Sequence, residues 1–146
     1  MTDFNPYAAP KAPVSDVLAP VAGARDIAAL PVSNAWKVKF WVIEKAGGPK
    51  LPKLKELSFG DRMKINFNAL AFLFGFLYYL VKGMWKKGLT LFLIMMVAVL
   101  LLSFLLEAAG LGQLGNALSF GAGALFGVRA NADYYKKMVL NDNGWW

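Results

Sequence analysis

The stretch LTLFLIMMVAVLLLSFLL, residues 89–106, decides the fold. It runs for 18 residues without a charge, and its only polar side chains are the hydroxyls of Thr90 and Ser103. That length and apolarity match a transmembrane helix. Two further charge-free runs flank it, residues 65–81 before and residues 108–128 after. The whole chain of 146 residues agrees, with 58% hydrophobic and only 17% charged residues. Soluble domains usually carry about 25% charged residues, so too little charge is present to cover a water-facing surface. The expected fold is an all-α membrane protein with three hydrophobic helices, at 65–81, 89–106 and 108–128.

Before these runs the chain changes character twice. Residues 1–31 hold five of the seven prolines among Ala, Ser and Asp, and a stretch so poor in large apolar groups is expected as a disordered tail. No basic segment followed by an apolar core begins it, so no signal peptide is expected. The helical membrane domain is then expected over residues 32–146. Ser33 is placed to cap a first helix that Gly47, Gly48 and Pro49 stop. Trp36, Phe40 and Ile43 share one face of it and Trp41 broadens the apolar side, which suits an amphipathic helix in the headgroup layer or one packed on its own protein. Ser58 followed by Asp61 has the spacing of a capping box and opens a second helix leading into residues 65–81.

The first apolar run is short. Its 17 residues make about 25 Å of helix against a hydrocarbon core of about 30 Å, and Gly75 stands at its middle. The basic residues argue the same way. If 65–81 crossed the membrane fully, Lys50, Lys53, Lys55, Arg62 and Lys64 would oppose Lys82, Lys86 and Lys87, against the positive-inside rule. If it is re-entrant or interfacial, all 16 basic residues fall on the cytosolic side and Glu107 alone lies beyond the far leaflet.

The third run, 108–128, carries six glycines. Gly110, Gly112 and Gly115 suit a turn after Glu107. Gly115, Ser119, Gly123 and Gly127 recur every fourth residue and form a ridge of small side chains that lets two helices approach closely. The ridge is expected to pack on the helix at 89–106 or to join copies into a homo-oligomer or pore. Trp36, Trp41, Lys82, Trp85, Lys86, Lys87, Tyr134 and Tyr135 are expected at the membrane interface, their aromatic bodies in the boundary and their ammonium groups among anionic headgroups. Asn131 continues the ridge, so its amide is expected to bond to a neighbouring helix.

The strings Phe67-Asn68-Ala69-Leu70-Ala71-Phe72-Leu73-Phe74-Gly75, Tyr78-Tyr79-Leu80 and Lys82-Gly83-Met84-Trp85-Lys86-Lys87-Gly88-Leu89, with Ala130-Asn131 and Tyr134-Tyr135 later on, resemble the hallmarks of small bacterial inner-membrane proteins grouped as domain of unknown function 2628. Phe76 stands where members often have Pro. The resemblance implies a bacterial inner-membrane location and this architecture, and it brings no activity, cofactor or catalytic residues.

The function classes narrow accordingly. The chain has no His and no Cys, so the common zinc sites, the Ser-His nucleophile and an imidazole shuttle are excluded. No cofactor or metal is expected. The net charge of +7 favours the anionic face of a lipid bilayer, and no nucleic-acid motif accompanies it. A membrane-anchored interaction or accessory protein, with an unidentified membrane partner or a second copy, asks least of the sequence. A pore-forming or holin-like assembly through the glycine ridge is the alternative.

Overall fold

A computed structural model describes residues 23–146, apart from the side chains of Asn116, Ser119 and Phe120. The described chain is helical, without strands: α1 (Asn34–Lys45), α2 (Phe59–Asn66), α3 (Ala69–Phe74), α4 (Phe76–Val81), α5 (Trp85–Ala108) and α6 (Gly115–Met138). The caps follow the local chemistry. Ser58 accepts a hydrogen bond from the Asp61 N–H and starts α2, and the Asn68 side chain accepts from Ala71 and starts α3. Ser33 stands at the start of α1, although its hydroxyl makes no capping bond.

Three helices stop in one way. After α1, α4 and α5, a glycine at positive φ (Gly47, Gly83, Gly110) donates back to the residue three before it, and the next N–H reaches five residues back. These are Schellman motifs, which satisfy the last carbonyls where no side chain could.

Two expectations change here. Residues 65–81 do not form one helix. They contain the end of α2, then α3 and α4, separated by Gly75 at φ 48° and ψ −120°. That conformation is the first corner of a type II′ turn, which L side chains rarely adopt, so Gly75 makes the break without a proline at 76. A continuous helix would hold residues 68 and 78 about 15 Å apart, yet the Asn68 amide donates to the Tyr78 hydroxyl at 2.9 Å. The chain therefore doubles back as a short helical hairpin. The third run, 108–128, is also not a span of its own. A turn occupies its first residues, and α6 continues through Arg129, Asp133, Lys136 and Lys137. Among the described residues one helix, Trp85–Ala108, is long and apolar enough to cross a membrane, in place of the three expected.

The tail also ends earlier than expected. Arg25 N–H donates to Val139 O at 2.8 Å, Asp26 caps the 3-10 turn Ile27–Ala29, and Ile27 and Leu30 are buried. Residues 1–22, the rest of the expected tail, lie outside the described residues.

The packing divides the molecule into two halves. In the polar half α1 and α2 lie on the second half of α6, around buried Phe40, Ile43, Leu57, Ile65, Tyr135 and Val139. The apolar half contains the α3–α4 hairpin, α5 and the first half of α6. Helices α5 and α6 run antiparallel, since Lys87 in the first turn of α5 donates to Asp142 O, just past α6, at 2.7 Å.

Candidate functional site

A buried polar knot joins the two halves. Asn131 on α6 donates through its amide to Ile65 O at 2.9 Å and Phe67 O at 3.3 Å. Its side-chain oxygen accepts from the Asn68 amide at 3.0 Å. Asn68 also donates to Tyr78, and its backbone N–H donates to Gly127 O at 2.9 Å. Both asparagines are buried, and every polar group of the knot has a partner, which makes it rigid rather than costly. The Asn131 amide thus bonds to a neighbouring segment, as its place on the ridge implied. A second link lies deeper in α6, where the Tyr79 hydroxyl donates to Asp133 at 3.0 Å and Arg129 stands 3.5 Å from the same carboxylate.

Beside the knot a cleft of about 290 Å³ opens between the start of α1 and the base of the hairpin. Lys39 and Lys82 both line it, with Trp36, Asn68 and Tyr78 as walls and exposed Phe67 and Leu70 at the rim. Lys39 Nζ lies 4.8 Å and Lys82 Nζ 5.0 Å from the Trp36 ring centre. The two ammonium groups therefore stand no more than about 10 Å apart, close enough to repel. Lys82 also faces the Tyr134 ring at 4.8 Å. Among the described residues no carboxylate pairs with either lysine. Burial, then the charge of Lys82, pushes the Lys39 ammonium below its usual pKa. Burial, then Lys137, does the same to Lys82. The first turn of α1, which no side chain caps, adds positive potential at the same opening. Chemically the cleft suits an anion. Among the described residues no group of carboxylates comes together to hold a metal ion.

The other expected residues are distributed as follows. A Cβ on Gly123 would meet the Phe72 carbonyl oxygen at 2.8 Å, and one on Gly127 would meet the Phe67 ring at 2.8 Å. The ridge therefore packs on α3 and the α2–α3 link rather than on α5. Gly115 faces open space, and the side chain of Ser119 lies outside the described ones. Of the expected interface residues, Trp41 and Trp85 are exposed, and Lys86 stands over the Trp85 ring at 5.9 Å. Tyr134 and Tyr135 are instead buried, because α1 lies across them and Phe40 and Trp36 stack on their rings. Lys87 is buried too, its ammonium held by the Asp142 carbonyl and carboxylate. Trp36 is half-buried against Tyr134, so α1 packs on its own protein through the face that Trp36, Phe40 and Ile43 share. Sequence reasoning missed Lys39. Its signal was its place three residues after Trp36, which sets a lysine on the apolar face of α1.

The class that this architecture defines is a small helical protein with one span-length helix, a broken helical hairpin and a basic polar half. The chain belongs to the family described as protein of unknown function (DUF2628), which matches residues 25–139. It is 30% identical over 122 residues to the uncharacterized protein YigF of Salmonella typhimurium (strain LT2), covering 78% of this chain and 90% of that protein. The YigF proteins of Salmonella typhi and Escherichia coli (strain K12) match over the same length at 30% and 29% identity. No solved structure matches. The strings that carried the resemblance meet in three dimensions, since Asn68, Tyr78 and Asn131 form the knot and Gly88 receives the Tyr79 Cβ, 2.7 Å from where its own would be.

Proposed function

We propose that this chain is an integral protein of the bacterial inner membrane. In this reading it anchors through α5 and presents its basic polar half at the cytosolic face as an interaction or accessory module. One observation carries the reading. Only 6% of the apolar window of α5 is buried inside the protein. Exposed large side chains occupy Phe92, Leu93, Ile94, then Leu100, Leu101, Leu102, and then Phe104 and Leu105. Three consecutive helical positions turn through more than half a circle, so most of the helix is left bare outside the face that Leu91 shares with the hairpin and α6, and burial of the rest outside water must come from elsewhere. Lipid supplies it at lowest cost. Exposed Leu73, Phe74 and Leu77 at the hairpin tip then dip beside α5, and Phe76 stacks 5.7 Å from Phe92. The antiparallel course of α5 and α6 returns the chain to the side it left. Two of the positions that an oligomeric pore would use, Gly123 and Gly127, are filled by Phe72 and Phe67 of the same chain, so the pore reading draws no support from them.

Single cysteines at Lys86, Gly110 and Asp142 test this in a chain that has no cysteine of its own. In intact spheroplasts an impermeant thiol reagent should label position 110 alone, and positions 86 and 142 only after lysis. Release of the protein by alkaline carbonate would refute integration. Labelling of position 86 from outside would refute the one-sided topology.

A further inference from the structure

We infer that the Lys39–Lys82 cleft is a binding site for the phosphate of an anionic membrane lipid. The inference deepens the membrane-anchor reading and rests on it. Two half-buried ammonium groups share one cleft with no carboxylate pairing to them among the described residues, although both are partly stripped of water. Partly desolvated cations of one sign are stabilised most by an anion placed between them. The first turn of α1 adds its positive end. The walls fix which anion. Trp36 and Tyr78 give a flat aromatic boundary, and exposed Leu70 at the rim continues along α3 into Leu73 and Phe74. A ligand with its phosphate on the lysines would therefore lay its hydrocarbon along an apolar helix face rather than in water. A free phosphate satisfies the lysines but leaves that rim bare. The cleft volume, about 290 Å³, suits a headgroup and not a whole lipid, whose acyl chains would stay in the bilayer.

The test uses the full chain in mild detergent with added phosphatidylglycerol or phosphatidylcholine, and native mass spectrometry counts retained lipid. The intact protein should retain one phosphatidylglycerol in preference to phosphatidylcholine. The pair Lys39→Gln and Lys82→Gln should lower that retention at least tenfold. The pair Lys50→Gln and Lys53→Gln, equal in charge lost, should leave it unchanged. Ser33→Asp guards against misfolding as an explanation. Aspartate caps a helix as well as serine does, but it sets a carboxylate in the cleft, so retention should fall while the melting temperature holds. Equal retention by all variants, or an equal fall with the Lys50 and Lys53 pair, would overturn the site. Displacement of the lipid by millimolar inorganic phosphate would overturn the lipid assignment in favour of a soluble phosphate. Sedimentation of every variant with membranes separates these outcomes from failure of the membrane-anchor reading, which would release the unmodified protein as well.

Discussion

Replacing Gly123 by alanine tests the close approach of α6 and α3 at one atom. The new methyl would lie 2.8 Å from the Phe72 carbonyl oxygen and 3.2 Å from the Phe72 ring. The ring can turn, but the oxygen belongs to helix backbone, so α3 or α6 must shift as a body. Overpacking of this kind costs about 1–3 kcal/mol. Alanine also raises intrinsic helix propensity by about 1 kcal/mol over glycine, which would mask part of the loss. Gly121→Ala supplies the control, since it gains the same propensity and its methyl meets nothing within 4 Å. The difference between the two variants is then the steric cost alone, worth roughly 4–12 °C in melting temperature for a domain of this size. Far-UV circular dichroism in one detergent measures it, with light scattering after size exclusion to follow the assembly. Melting temperatures for Gly123→Ala and Gly121→Ala within about 1 °C of each other would refute the close contact. Conversion of a larger species to monomer by Gly123→Ala alone would show that the ridge joins two chains.

Gly75→Ala should destabilise by about 1–3 kcal/mol through backbone strain, because its methyl would make only an ordinary 3.6 Å contact with Phe126; thermal melts of this variant beside Gly121→Ala check it. Asn131→Leu keeps the volume but leaves the Ile65 carbonyl and the Asn68 amide buried without Asn131. At about 1–3 kcal/mol for each group it should loosen residues 65–78 first, which hydrogen exchange reads directly. Glu44 has its pKa raised by burial, opposed by the Tyr135 hydrogen bond and helped by Asp26. A raised acid contributes stability below the ordinary carboxylate range and loses it as pH climbs through the raised value. Glu44→Gln should therefore melt higher than the parent at pH 7, and the gap should close as pH falls toward 4; a gap that widens in acid refutes the assignment.

Local signals in the sequence carried much of this fold. Ser58 and Asp61 start α2 as their spacing requires, the glycines after α1 stop it, and Gly75 breaks the short apolar run that charge balance already made doubtful as a span. The misreadings share one physical origin. Aromatic residues beside lysines at the end of an apolar run have the composition of an interfacial belt, and equally of a helix end packed inside a polar half. Only the distant partners decide, and for Tyr135 these are Phe40 and Glu44. The length of 108–128 misled similarly, because a turn and a helix start can both be free of charge. The lysine cleft was hidden for a related reason. Its walls come from the start of α1, the α2–α3 link and the end of α4, and no spacing along the chain joins them.

The knot on Asn131 also fixes an order of events during synthesis. The groups that pin the α3–α4 hairpin, Asn131 to Asn68 and Gly127 to the Asn68 N–H, lie about 60 residues downstream of it. They leave the ribosome only after α5 has been made. Until then the hairpin holds a broken helix whose Asn68 has Tyr78 as partner but lacks Asn131 and Gly127. The hairpin is therefore seated last, when α6 packs back against it. A chain cut between α5 and α6 would leave the hairpin without the partners that seat it, as open to proteolysis as any segment short of packing contacts.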